Sequence, residues 1–172
     1  SIKTRIGFDE IVIEKWVEIL LQENPAVISL HGRTLKQMYR GKACWDSIRR
    51  AAHVVKGSGT LVLGNGDISS LAQAAQLIEE SGVDGVLIGR SAIGNPWIFE
   101  KQPRLISFEE KFRVALEHAS ILSERNFKSV RKHLVGYIHS LPEAAKLRSK
   151  ALQASSVKDL KSILELQDPI HL

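Results

Sequence analysis

With 172 residues, 44% of them hydrophobic and 25% charged, the chain has the composition of a globular protein that can build a core, which excludes a disordered tail. No run of about 18 apolar residues occurs and residues 1–10 lack the basic-then-apolar order of a leader, so a cytoplasmic location and no membrane partner are expected. A net charge of +5 suits a polyanionic partner, while a single cysteine, Cys44, and no HExxH-like spacing exclude an internal disulfide and make no metal the expectation.

The first hundred residues repeat one pattern: a short β-branched apolar run, a polar or Gly-rich turn, then an amphipathic helix. The runs are residues 2–6, 26–30, 60–63 and 85–88, and the helices read as 9–22, 45–55 and 69–80. Strands that alternate with helices imply an α/β unit with a parallel sheet and right-handed crossovers. Asp9 is the expected cap of the first helix and Ser69 or Ser70 that of the third, with Gly82 where a left-handed C-terminal residue is wanted. Ile13, Trp16, Val17 and Leu20 recur at helical spacing and are expected to face the sheet.

After Phe99 the strand pattern stops. Residues 101–106, with Pro103, read as a linker, and Ser107 with Glu110 as a capping box for a helix through about 124. Further helices are expected at 127–140, 142–153 and 157–166, with Pro142 in a first turn. Between Arg125 and Lys150 stand seven basic residues (Arg125, Lys128, Arg131, Lys132, Lys146, Arg148, Lys150) and one acid, Glu143. Phosphate contact from such residues is how RNA is bound by shape, although a solvated helix face has the same composition.

In parallel α/β architectures the C-terminal ends of the strands surround the active site. Here the first strand carries Lys3 and Arg5, the second ends in His31-Gly32-Arg33-Thr34, the third in Gly64-Asn65-Gly66-Asp67 and the fourth in Gly89-Arg90. Lys, His and Arg beside glycine-rich turns suit a planar, phosphorylated anion, since glycine lets backbone N–H groups approach phosphate oxygens and Arg90 adds a charge-assisted contact. Each element also has a plainer reading: a tight turn for the GNGD stretch, a satisfied core histidine for His31, and solvent-facing charge for Lys3 and Arg5.

Taken together these residues resemble the tRNA-dihydrouridine synthase family. The matching motifs are His31-Gly32-Arg33-Thr34 with Gln37, Tyr39, Gly41 and Trp45; Gly64-Asn65-Gly66-Asp67-Ile68; the stretch from Gly82 through Gly89-Arg90; and Gly94-Asn95-Pro96-Trp97-Ile98-Phe99. Arg131-Lys132-His133-Leu134 and the stretch from Leu141 to Arg148 resemble the family's helical domain. The resemblance implies the second half, four βα units, of an FMN-binding (β/α)8 TIM barrel over 1–100, a linker over 101–106 and a small all-α tRNA-recognition domain over 107–172. It implies reduction of the C5–C6 bond of particular uridines in tRNA by FMN, itself reduced by NADPH. Lys3 and His31 would lie at the flavin ring, Asn65, Gly66 and Asp67 at the ribityl-phosphate side, and Gly89 and Arg90 at the phosphate. Arg5 and Arg33, and in the tail Lys128, Arg131, Lys132, Lys146 and Arg148, would face tRNA.

The family's catalytic cysteine belongs to a motif ahead of the strand that carries Lys3, so no catalytic residue is expected in this chain, which reads as a fragment inactive by itself. Cys44 sits in a connection leading into a helix, outside any nucleophile context, and reads as a small, partly buried residue. Two other readings stand beside the reductase: another FMN-dependent TIM-barrel oxidoreductase, and a non-catalytic RNA-binding remnant. The basic helical tail argues against the first, and the flavin-type rim is left unexplained by the second.

Overall fold

Each of the four apolar runs forms a strand: β1 (Ile2–Arg5), β2 (Val27–His31), β3 (Leu61–Asn65) and β4 (Gly85–Leu87), all parallel and in the order β1-β2-β3-β4. The computed structural model describes residues 1–138 and 144–165, without the side chains at 123–126, 128–132 and 164–165. Parallel neighbours need long crossovers, and these are α1 (Ile13–Leu21), α2 (Trp45–Val55) and α3 (Leu71–Ser81). The core lies between sheet and helices: Ile28, Leu30 and Val62 meet Ile13, Val17 and Leu20 of α1 and Ile48, Ala51 and Val55 of α2. Burial of each large aliphatic side chain contributes about 1.5–3 kcal/mol.

The chain divides into two compact units, Ser1–Ser91 and Ala92–Leu172. In the first, α3 starts and stops as its residues dictate. The Ser70 hydroxyl accepts the Gln73 N–H at 3.1 Å, and Gly82 closes the helix at φ 70° while its N–H bonds the Ile78 carbonyl. Two details of α1 differ from expectation. Asp9 does not cap it: residues 7–12 form a turn in which the Val12 N–H bonds the Ile6 carbonyl, so the helix begins four residues later, and Asp9 instead takes the Lys36 ammonium at 3.1 Å. Trp16 faces the sheet but is 38% exposed and not packed in the core with Ile13, Val17 and Leu20, because its indole N–H reaches the Thr4 hydroxyl at 2.9 Å and holds the ring at the edge of the sheet.

The second unit holds a short 3-10 turn (Pro96–Phe99) and the helices α4 (Phe108–Ile138), α5 (Ala144–Gln153) and α6 (Val157–Glu165). It begins ahead of the expected linker because residues 94–104 are fastened to it. A Cβ on Gly94, at φ 69°, would fall 2.1 Å from the Gly136 carbonyl carbon, so the two backbones meet at a contact only glycine permits. Trp97 sets its edge on Tyr137, and Arg104 bonds both Glu100 and Glu110. Ser107 caps the Glu110 N–H as expected, but the Glu110 carboxylate goes to Trp97 and Arg104 and leaves the capping box half closed.

Where two helices were expected over 107–124 and 127–140, the helical run is continuous from Phe108 to Ile138. His118 Nδ1 nevertheless lies 3.2 Å from the Tyr137 hydroxyl, and their separation of 19 in sequence would span about 28 Å of straight helix. The run therefore doubles back between Ala119 and His133. Ala115, Ala119, Leu134, Tyr137 and Ile138 pack there with Leu147, Ala151 and Leu160. Pro142 and Glu143 lie outside the described residues.

Candidate functional site

Strand register decides which side chains meet. Arg5 pairs laterally with His31, His31 with Asn65, and Asn65 with Leu87, and residues abreast in a parallel sheet point to one face. It is the face away from the helices, since Ile28, Leu30 and Val62, which alternate with these residues, are buried against α1 and α2. Lys3 stands on the same face one layer below. The resulting cleft, of roughly 500 Å3, is bordered by all seven residues expected at a cofactor: Lys3, His31, Asn65, Gly66, Asp67, Gly89 and Arg90. Arg5, Tyr39, Ile68, Leu87 and Ser91 complete it.

The loops beyond the strands are tied to one another. Asn65 donates its amide to the Leu87 carbonyl at 2.7 Å, and Ser91 its hydroxyl to the Ile68 carbonyl at 2.7 Å. A Cβ on Gly66, at φ 139°, would meet the Ala43 methyl at 2.5 Å and the His31 ring at 3.4 Å, so only glycine leaves its backbone open to the cleft. Asp67, itself at φ 55°, is the hub. One carboxylate oxygen accepts from Arg33 at 2.6 Å and from the Ala43 N–H at 2.8 Å, and the other accepts from Arg90 at 2.7 Å. Burial raises its pKa, but the Ala43 N–H and the Arg33 and Arg90 charges outweigh that and hold the carboxyl below its ordinary range.

Arg33 corrects an expectation. It was read as facing RNA, yet it is 2% exposed and spends its guanidinium on Asp67 and, at 2.7 Å, on the Gly41 carbonyl. A buried cation needs such partners, and their position behind the rim puts Arg33 inside the wall of the site. Arg5 points into the cleft and braces its lip through the Thr34 carbonyl at 2.9 Å and the Met38 carbonyl at 3.4 Å. Tyr39, 64% exposed, was present in the motif but carried no assigned role. Arg90 lies 5.2 Å from its ring centroid in a cation–π arrangement. The one aromatic in the connection between β2 and α2 was the sequence signal that could have singled it out.

The cleft is electropositive. Lys3, Arg5 and Arg90 face it with one acid, Asp67, and that acid is paired. His31 is therefore held neutral: burial, then Arg5, Arg33 and Lys3, lower its pKa to about 4 against a smaller opposing pull from Asp67. Cys44 is half-buried at the start of α2, where its sulfur accepts the Ser47 hydroxyl at 3.1 Å, and it does not border the cleft.

In the second unit, Lys146 is exposed and Arg148 half-buried on α5, whose apolar side is Leu147 and Ala151. The side chains of Lys128, Arg131 and Lys132 lie outside the described residues. Among those described, no three His, Cys, Asp or Glu side chains gather as metal ligands, and no helix is long and apolar enough to cross a membrane.

Comparison with known proteins gives one answer along the chain. Residues 1–170 match the model of the dihydrouridine synthase family. Similar curated proteins include probable tRNA-dihydrouridine synthases of Aquifex aeolicus (30% identical, covering 96% of this chain and 54% of the relative) and Staphylococcus aureus (32%, covering 96% and 53%). A probable tRNA-dihydrouridine synthase 1 of Synechocystis is 35% identical over 96% of this chain and 50% of its own length. The chain thus spans about half the length of the curated relatives it matches.

Proposed function

This chain belongs to the dihydrouridine synthase family, and from that premise we propose that it is the flavin-binding and tRNA-docking part of an oxidoreductase that reduces the C5–C6 bond of specific uridines in tRNA. On this reading the first unit is the second half of a (β/α)8 barrel, FMN is the cofactor, NADPH the reductant, and the enzyme is cytoplasmic. The observation that carries it is the lateral row Arg5–His31–Asn65, with Lys3 below and Arg90 beside, around a single cleft.

The cleft suits the group. Roughly 500 Å3 is within the ordinary range for a small-molecule site, about 300–1,000 Å3. A Cβ on Gly89 would meet nothing within 4 Å, so the chain leaves room for a phosphate there. Arg90 gives one guanidinium nitrogen to Asp67 and keeps its remaining N–H donors for that phosphate. Lys3 and His31 would hold the ring, Asn65 and Gly66 the ribityl chain, while Asp67 contributes by aiming Arg90. When bound, FMN carries reducing equivalents from NADPH to the uridine. Lys3 places positive charge where negative charge accumulates on reduction, and thereby both holds the cofactor and tunes it.

The target uridine must leave the tRNA stack, at a cost of a few kcal/mol. Phosphate contacts from Lys146, Arg148 and the other basic residues of 125–150 offset that cost. The proton for C5 would come from the family's cysteine, which the resemblance places ahead of Lys3.

The test is to purify the full-length gene product, record its flavin absorbance and assay NADPH-dependent formation of dihydrouridine in tRNA, with the upstream cysteine changed to alanine in parallel. Flavin should copurify with both forms and product should form only with the unchanged protein. A protein that holds no flavin and leaves tRNA unmodified overturns the reading in favour of an RNA-binding remnant.

A further inference from the structure

Arg33 is the most buried charge of the site, and ligand binding does not account for it. Its guanidinium meets Asp67, the Gly41 carbonyl and, at 3.4 Å, Nε2 of His31, while its own Nε–H is buried without an acceptor. A buried N–H left unsatisfied costs about 1–3 kcal/mol, so stability alone is a poor reason to keep an arginine here.

Arginine donates and never accepts. The imidazole nitrogen that faces it must therefore offer a lone pair, and a neutral ring whose Nε2 is an acceptor carries its proton on Nδ1. The Nε2–Cδ2 edge of His31 also lies against Gly66, where a Cβ would stand 3.4 Å from Cδ2 and 3.7 Å from Nε2. Among the described residues none accepts a hydrogen bond from Nδ1, and His31 borders the cleft.

We propose that Arg33, braced by Asp67, is a positioning residue that fixes His31 as the neutral Nδ1–H tautomer, so that the site offers its ligand a hydrogen-bond donor in place of a positive charge. The bound atom this selects is a neutral or anionic oxygen acceptor. That it is a carbonyl of the flavin ring rests on the function proposed above, whereas the tautomer does not. The charges that face His31 agree with the assignment: Lys3 and Arg5 on β1 and Arg33 after β2 all disfavour the imidazolium, and Asp67 after β3 opposes them but is neutralised by its two arginines.

The experiment is long-range 1H–15N correlation on the full-length protein labelled with 15N-histidine, free of flavin, from pH 8 to 3, with the His31 signals assigned by their loss in His31→Gln. The expected result is the Nδ1–H pattern with a protonation midpoint near 4. In Arg33→Met the tautomers should mix and the midpoint rise by about one unit. Arg33→Lys should retain the low midpoint but lose the single tautomer. An Nε2–H pattern in the unchanged protein overturns the proposal, and so does an Arg33→Met spectrum with neither change. If Arg33→Met does not fold, the tautomer of the unchanged protein still decides. A parallel FMN titration followed by flavin fluorescence keeps the two readings apart: the Nδ1–H form without FMN binding upholds the Arg33 assignment and sinks the flavin assignment.

Discussion

The two units secure their polar groups in opposite ways. In the first, the decisive bonds are long in sequence: Arg33 to Asp67 across 34 residues, Asn65 to Leu87 across 22 and Trp45 to Gly66 across 21. In the second, most are local: Ser107 to Glu110 across three residues, Ser155 to Asp159 across four and Arg104 to Glu110 across six. A polar change in the first unit is therefore felt at the cleft, whereas one in the second is felt at a single helix end. Polar contacts are drawn together by sheet register in one unit and made largely within single helices and their flanking turns in the other.

The change with the largest expected effect attacks the long-range side of this contrast. Asp67→Ala leaves Arg33 buried without its carboxylate and should cost about 3 kcal/mol or more, read as a lower urea midpoint, together with loss of anion binding at Arg90. If the midpoint falls by no more than a surface change produces, Asp67 is not the hub. Next comes the one tight backbone contact of the helical unit. Gly94→Ala puts a methyl at 2.1 Å from the Gly136 backbone in a left-handed residue, which should cost about 2 kcal/mol in thermal unfolding without altering the cleft.

The pH response of the helical unit sharpens the comparison. His118 has its pKa lowered by burial and then by His133, so its contribution is full above the ordinary value near 6.5 and is lost as pH falls below it. Arg104 holds Glu110 down to about 2, and Ser155 and Ser156 do the same for Asp159. Their contributions are full above the ordinary carboxylate range near 4 and are lost as pH falls toward 2. Helical circular dichroism should thus decline in two steps, and His118→Gln should remove the upper one. The smallest effect is expected for Lys146→Ala: a change in stability within about 0.5 kcal/mol, and a decrease of about 1 in the slope of log affinity for tRNA against log salt.

Much of the scaffold was legible residue by residue. Ser70 and Gly82 end α3 where side-chain capping and a left-handed φ predict, and Ser107 opens α4. Asp9 misled because its cap signal competed with a turn that Leu35 and Lys36 stabilise from across the loop through the Gly7 and Phe8 carbonyls. Trp16 misled because helical spacing ignores the indole N–H, which found Thr4. The seven cofactor candidates could be named from the chain through the family resemblance of their motifs, but the same resemblance placed Arg33 outside, among groups for RNA. Nothing local to His31-Gly32-Arg33 reveals that Asp67 waits behind it.

By itself, then, the sequence determined the alternation of strand and helix, the helix ends, the family and the set of residues at the strand termini, because these follow from periodicity, turn chemistry and motif, which act over a few residues. Only the tertiary structure decided that Arg5, His31 and Asn65 stand abreast, that Arg33 is buried and Tyr39 exposed, and that the 108–138 run doubles back. Those outcomes depend on strand register and on which surfaces exclude water, and both are properties of segments that meet only after the chain has folded.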